Sequence, residues 1–147
     1  METMEMQAPV FEALLLFHKE PAALESERIR QALAEKFNGA DFTEGRYLLH
    51  AFDAAVQIGA PAPFDHTMVS DFIRGQMWNV KDANGLLSSC TYAVRLADDN
   101  ALTMEYKQRG KMLTQLIEAG LALYPDSAAV YVPASGRLMT AAQVREN

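Results

Sequence analysis

The sequence predicts an α+β domain: a ferredoxin-like split βαβ sheet of about four strands, with helices packed on one face and one extra helix between strands 2 and 3. Three observations lead there. Residues 9–18 hold an apolar run of strand length, residues 88–97 alternate between apolar and polar, and the stretches between strand candidates carry apolar stripes at helical spacing. In chain order the elements read β-α-β-(α)-β-α-β, with no internal repeat, low-complexity run or domain linker, so residues 1–147 form a single domain.

The first strand lies within Pro9–His18. Leu14 to Phe17 is continuously apolar rather than alternating, which predicts cover on both faces, as in the middle of a sheet. Glu20-Pro21 opens a helix, because proline is tolerated in a first turn. Ile29, Leu33 and Phe37 recur on one stripe of that helix, Glu25, Glu27, Arg28, Glu35 and Lys36 face water, and Asn38-Gly39 ends it.

Residues 46–58 fit both periods. Leu48, Phe52 and Ala55 match a helical stripe, whereas Leu48, His50, Phe52, Ala54, Val56 and Ile58 alternate, and the strand is the reading adopted. Gly59-Ala60-Pro61-Ala62-Pro63 is a stiff break. Asp65 then caps the extra helix, with Val69, Phe72, Ile73, Met77 and Val80 as its apolar stripe and Asn84-Gly85 as its end.

From Ser88 to Ala97, Cys90, Tyr92, Val94 and Leu96 alternate with Ser89, Thr91, Ala93 and Arg95, the pattern of a half-buried strand. Asp98, Asp99 and Asn100 are cap candidates for a long helix through Tyr124, with Tyr106, Leu113, Leu116, Ile117, Gly120, Leu121 and Tyr124 toward the core. Pro125 stops it. Residues 128–132 make a short last strand, followed by a Ser135-Gly136 turn. Thr140 and Gln143 then form a Thr-x-x-Gln capping box with little helix behind it, which points to a fragment or a short docked tail, since isolated helices shorter than roughly 12–15 residues are marginal in water.

Composition excludes several function classes. The chain is 50% hydrophobic and 22% charged, as an ordinary folded domain is, and carries a net charge of −6 with scattered Lys and Arg, so it lacks the basic footprint of a nucleic-acid binder. The lone Cys90 makes no internal disulfide and no CxxC metal spacing. The first residues carry acids where a signal peptide needs a basic region, and no apolar run approaches the roughly 18 residues of a membrane span. A cytoplasmic protein without membrane contact is the expectation.

Few residues invite chemistry. His18, His50 and His66 have no metal-ligand spacing, so no metal and no cofactor is expected. Cys90, on the alternating face read as inward, is a small buried hydrophobe rather than a nucleophile, which would need exposure and a depressed pKa. Asp53 and Asp98-Asp99 receive no catalytic role, because acids after a strand are ordinary helix caps. Trp78, Met68 and Met77 could line a ligand pocket, although such residues at helical spacing are usually core.

The end of the last strand is the candidate site. Arg137, just after a strand and near a helix start, could hold a carboxylate or phosphate, and a solvated arginine is the ordinary alternative. Ser135 sits in Ala-Ser-Gly-Arg without the GxSxG pattern of a nucleophile elbow, so turn formation is its ordinary role. Tyr131 completes the set of ligand-binding candidates, Tyr131, Ser135 and Arg137.

Ala13-Leu14-Leu15-Leu16-Phe17, the stretch Val56–Pro63 and above all Ala129-Val130-Tyr131-Val132-Pro133-Ala134-Ser135-Gly136-Arg137-Leu138 resemble a bacterial family, domain of unknown function 4261. The resemblance spans most of the chain and implies a longer protein with a second region after the Ser-Gly turn. It brings no activity and no catalytic residue.

Two functions follow as expectations. The first is a non-catalytic cytoplasmic interaction or ligand-binding module. The alternative is a small hydrolase with its site around Tyr131, Ser135 and Arg137. The doubly apolar first strand also calls for cover on the second sheet face, by a twin subunit in a homo-oligomer or by a missing C-terminal half.

Overall fold

A computed structural model describes residues 12–51, 54–77, 79–98, 106–133 and 135–145. Phe52, Asp53, Trp78, Asp99, Asn100 and residues 1–11 lie outside them, as does the side chain of Tyr106.

Among the described residues the strands are β1 (Glu12–Phe17), β2 (Ala40–Thr43), β3 (Arg46–Leu49), β4 (Ala54–Ile58), β5 (Ala62–Pro63), β6 (Tyr92–Asp98), β7 (Ala129–Val132) and β8 (Arg137–Thr140). The helices are α1 (Ser26–Lys36), α2 (Asp71–Arg74), α3 (Ala83–Ser89), α4 (Tyr106–Leu123) and α5 (Ala141–Arg145), with a 3-10 turn over His66–Met68.

All strands join one antiparallel sheet in the order β2-β3-β4-β6-β1-β7-β8, with β5 pairing β6 beyond the end of β4. The four-strand ferredoxin-like sheet is therefore incorrect: among the described residues this sheet has eight strands. β1 and β6 lie side by side at its centre, as their apolar patterns predict, paired from Glu12–Ala97 to Phe17–Tyr92.

The added strands come from turns that the sequence reading passed over. Residues 46–58 are not one strand but two, β3 and β4, folded back on each other with Tyr47 opposite Val56. Before them, Glu44 (φ 54°) and Gly45 (φ 80°) are the two left-handed residues of a tight hairpin turn joining β2 to β3. At the far edge, the Ser135-Gly136 turn leads into β8 rather than directly into a helix.

Opposite residues in an antiparallel ladder share a face, so the register sorts the core into two layers. Ala13, Leu15 and Phe17 join Val94, Leu96 and Val130 against α1 and α4, through Ile29, Leu33, Met112 and Leu116. Gly120 lets α4 approach closely, since a Cβ there would meet Leu15 and Leu96 at 3.0 and 3.1 Å. Phe17 and Tyr124 meet edge to face at 5.5 Å. Asp98 is buried as the last residue of β6, so it is a strand residue and not the expected cap.

Leu16, Ala129, Tyr131 and Leu138 face the other way, onto Phe64, Val69, Met77, Val80, Leu87 and Cys90. Helices consequently lie on both faces, not one. The cover for the second face of β1 is the chain's own segment 64–90.

That segment is also not one helix. Ser70 Oγ accepts from Ile73 N–H, Asp82 in the left-handed region (φ 55°) accepts from Gly85 N–H, and these caps start α2 and α3 separately. Asn84-Gly85 lies inside α3, and Phe72, assigned to the apolar stripe, is 75% exposed. Arg74 ties the pieces together, donating to the carbonyls of Val69 and His66, to His66 Nδ1 at 3.0 Å and to Asn84 Oδ1 at 3.3 Å. Cys90 follows α3 and is buried in this second layer.

The capping box is formed. Thr140 N–H donates to Gln143 Oε1 at 2.9 Å, and Gln143 N–H donates to Thr140 Oγ1 at 3.0 Å. α5 behind it is a short docked helix, with Ala141 buried and Val144 packed on the first layer.

Candidate functional site

β7 and β8 form a hairpin closed by Val132 opposite Arg137. Ser135 N–H donates to the Val132 carbonyl at 3.3 Å and Gly136 N–H to the Pro133 carbonyl at 3.2 Å, so the turn is folded by its own backbone. Gly136 is required twice over. Its φ of +63° is left-handed, and a Cβ would stand 3.1 Å from two carbons of Ile73. The bare backbone thus lets Ile73 of α2, and with it the segment that follows α2, sit against the turn.

Two hydrogen bonds hold that segment in place. Asn79 Nδ2 donates to the Leu138 carbonyl at 3.0 Å, and Gln143 Nε2 donates to the Asn79 carbonyl at 3.2 Å. Between the segment and the hairpin lies a cavity of about 190 Å³, bordered by Gln76, Met77, Asn79, Ser135, Gly136, Arg137 and Leu138. Among the described residues its border carries amides, a hydroxyl and one guanidinium, and no carboxylate, imidazole or thiol.

A second cavity of about 220 Å³ adjoins the same hairpin on the α4 side, bordered by Thr114, Ile117, Glu118, Arg137, Met139 and Val144. Glu118 is paired with Lys36 at 2.6 Å. Arg137 therefore borders both hollows. It is exposed, and among the described residues its guanidinium has no hydrogen-bond or ion-pair partner.

Of the three residues predicted for this site, the structure brings two together. Ser135 and Arg137 border the same cavity. Tyr131 does not, because it stands opposite Leu138 in the ladder and is buried beneath the second face, where burial pushes its phenol pKa up. Ser135 Oγ makes a long hydrogen bond of 3.4 Å to the Val132 carbonyl, the ordinary turn role. Gln76 and Asn79 complete the site and were not predicted, since no pattern in the sequence ties them to a hairpin some sixty positions on.

The other chemistry-bearing residues are dispersed. His18 lies against the Ser89 carbonyl at 3.3 Å, His50 pairs with Asp41 at 3.0 Å, and His66 meets Arg74. No cluster of three metal-capable side chains occurs among the described residues. Burial pushes the Cys90 thiol pKa up, the opposite of what an activated nucleophile needs. No helix of the described residues is long and apolar enough to cross a membrane. No family model matches the chain, and no curated protein or solved structure is significantly similar to it.

Proposed function

We propose that the protein is a non-catalytic ligand-binding or interaction module that works in the cytoplasm through the cavity beside the β7–β8 turn. One observation carries this reading. The cavity is assembled from two distant segments and held by the Asn79–Leu138 and Gln143–Asn79 hydrogen bonds, yet among the described residues its border offers donors to a ligand and no acid, base and nucleophile in mutual reach. A preformed hollow with polar donors suits binding. Hydrolysis at Tyr131, Ser135 and Arg137 has less support, since Tyr131 is buried in the second layer without reaching the cavity border and, among the described residues, no general base stands beside Ser135 on that border.

The resemblance to domain of unknown function 4261 stands as part of the proposal, and its strongest stretch, Ala129–Leu138, makes up β7, the turn and the start of β8. Self-association is likewise proposed, through the exposed Met68 and Phe72. Light scattering on the wild type and Phe72→Ser tests it.

A fragment screen by ¹H–¹⁵N correlation spectroscopy tests the main reading. Small molecules should move the amide signals of residues 76–79 and 135–138 first. Turnover of p-nitrophenyl esters that disappears in Ser135→Ala would replace this reading with the hydrolase.

A further inference from the structure

Resting on the reading of this cavity as a binding site, we infer that its ligand carries a carboxylate, gripped by Arg137 with help from Ser135 and Gln76. Among the described residues the cavity border holds one cation and no acid, in a chain whose net charge is −6. The acid on the border of the neighbouring hollow, Glu118, is already paired with Lys36 at 2.6 Å. Arg137, with no partner among the described residues, therefore presents its fork of donors to whatever enters.

The single positive charge selects the class of anion. A guanidinium matches the two oxygens of a planar carboxylate in a bidentate pair, and the neutral donors, a hydroxyl and an amide, can meet the remaining lone pairs. A phosphate dianion would call for a second cation or a helix N-terminus, and among the described residues neither borders the cavity. The volume of about 190 Å³ admits a small organic acid.

The test titrates the ¹⁵N-labelled full chain with sodium benzoate, with neutral benzamide of the same shape and with inorganic phosphate. Benzoate should move the signals of Gln76, Asn79, Ser135 and Gly136 saturably, and benzamide should bind about tenfold or more weakly, the worth of a charge-assisted hydrogen bond. Phosphate should bind more weakly than benzoate. Arg137→Gln should lose about tenfold in benzoate affinity, with Arg137→Lys between it and the wild type, and the dispersion of the remaining signals reports that each variant is folded. Ser135→Ala provides a second, milder probe of the same contact.

Equal binding of benzamide, tighter binding of phosphate, or an Arg137→Gln variant with unchanged benzoate affinity overturns the carboxylate assignment. If benzamide moves these signals and the arginine variant is indifferent, the cavity is a binding site of another class. If no probe of either charge moves them, the binding reading of the cavity falls as well.

Discussion

Asn79 and Leu138, 59 positions apart, are joined by a hydrogen bond from the side-chain amide to the backbone carbonyl at 3.0 Å. β8 is an edge strand, and its outward carbonyl would otherwise face water or another chain. The bond blunts that edge and positions one wall of the cavity. Asn79→Ala should cost about 1 kcal/mol, the net worth of a part-buried hydrogen bond. Hydrogen exchange should accelerate in residues 76–80 and in β8 while β1 and β6 stay protected. Uniform acceleration across the sheet would mean that the bond does not act locally.

The reciprocal bonds of Thr140 and Gln143 predict a similar loss at the other end of β8. Removing a Thr cap typically costs about 1 kcal/mol, so Thr140→Ala should lower the denaturation midpoint. Gln143→Ala should cost as much or more, because that amide also donates to the Asn79 carbonyl. The two losses should not add in the double variant, since both remove the same interaction. Full additivity would show that the capping box contributes nothing as a unit.

The features legible in the sequence are those with a local cause. The unbroken Leu14–Phe17 run correctly signals a strand covered on both faces, and Thr140 with Gln143 correctly signals a helix start. What covers the second face was not legible, because segment 64–90 follows neither period: its apolar residues are placed by the caps at Ser70 and Asp82 and by Arg74, and not by one helical stripe. The alternation of Leu48, His50 and Phe52 runs through the reversal between β3 and β4 and so conceals it. Glu44-Gly45 did carry a hairpin signal in its glycine, weakened because the position before it holds Glu instead of the usual Asn or Asp. At the site, Ser135 and Arg137 were readable from their place after a strand. Gln76 and Asn79 were not, since their role exists only once the sheet is formed.

The long helix offers a test of the first core layer. Leu116 is fully buried, whereas Leu113, assigned equally to the core by its spacing, is only partly so. Leu116→Ala should therefore destabilise by about 2–5 kcal/mol, and Leu113→Ala by clearly less. Urea melts with matched m-values measure both. Equal losses would place the two side chains at the same depth, contrary to the packing of α4 described above.

Alkaline pH should weaken the fold through groups that are uncharged when buried. Burial raises the pKa of the Cys90 thiol and of the Tyr47, Tyr124 and Tyr131 phenols, with a hydrogen bond from Ser26 opposing the rise at Tyr47 and the Tyr47 charge adding to it at Tyr124. In the unfolded chain these groups ionise at their ordinary values, so as pH rises the unfolded state releases protons that the folded state still holds. Stability from this source is complete below about pH 8 and falls as pH climbs through about 9–11. Urea midpoints at pH 7.5, 9 and 10.5 should decline in that order, and Tyr131→Phe should shallow the decline, because it removes one ionising group from beneath the β7–β8 hairpin without emptying the space. A midpoint that holds steady to pH 10.5, or a Tyr131→Phe slope equal to that of the wild type, would show that these phenols reach water in the folded protein.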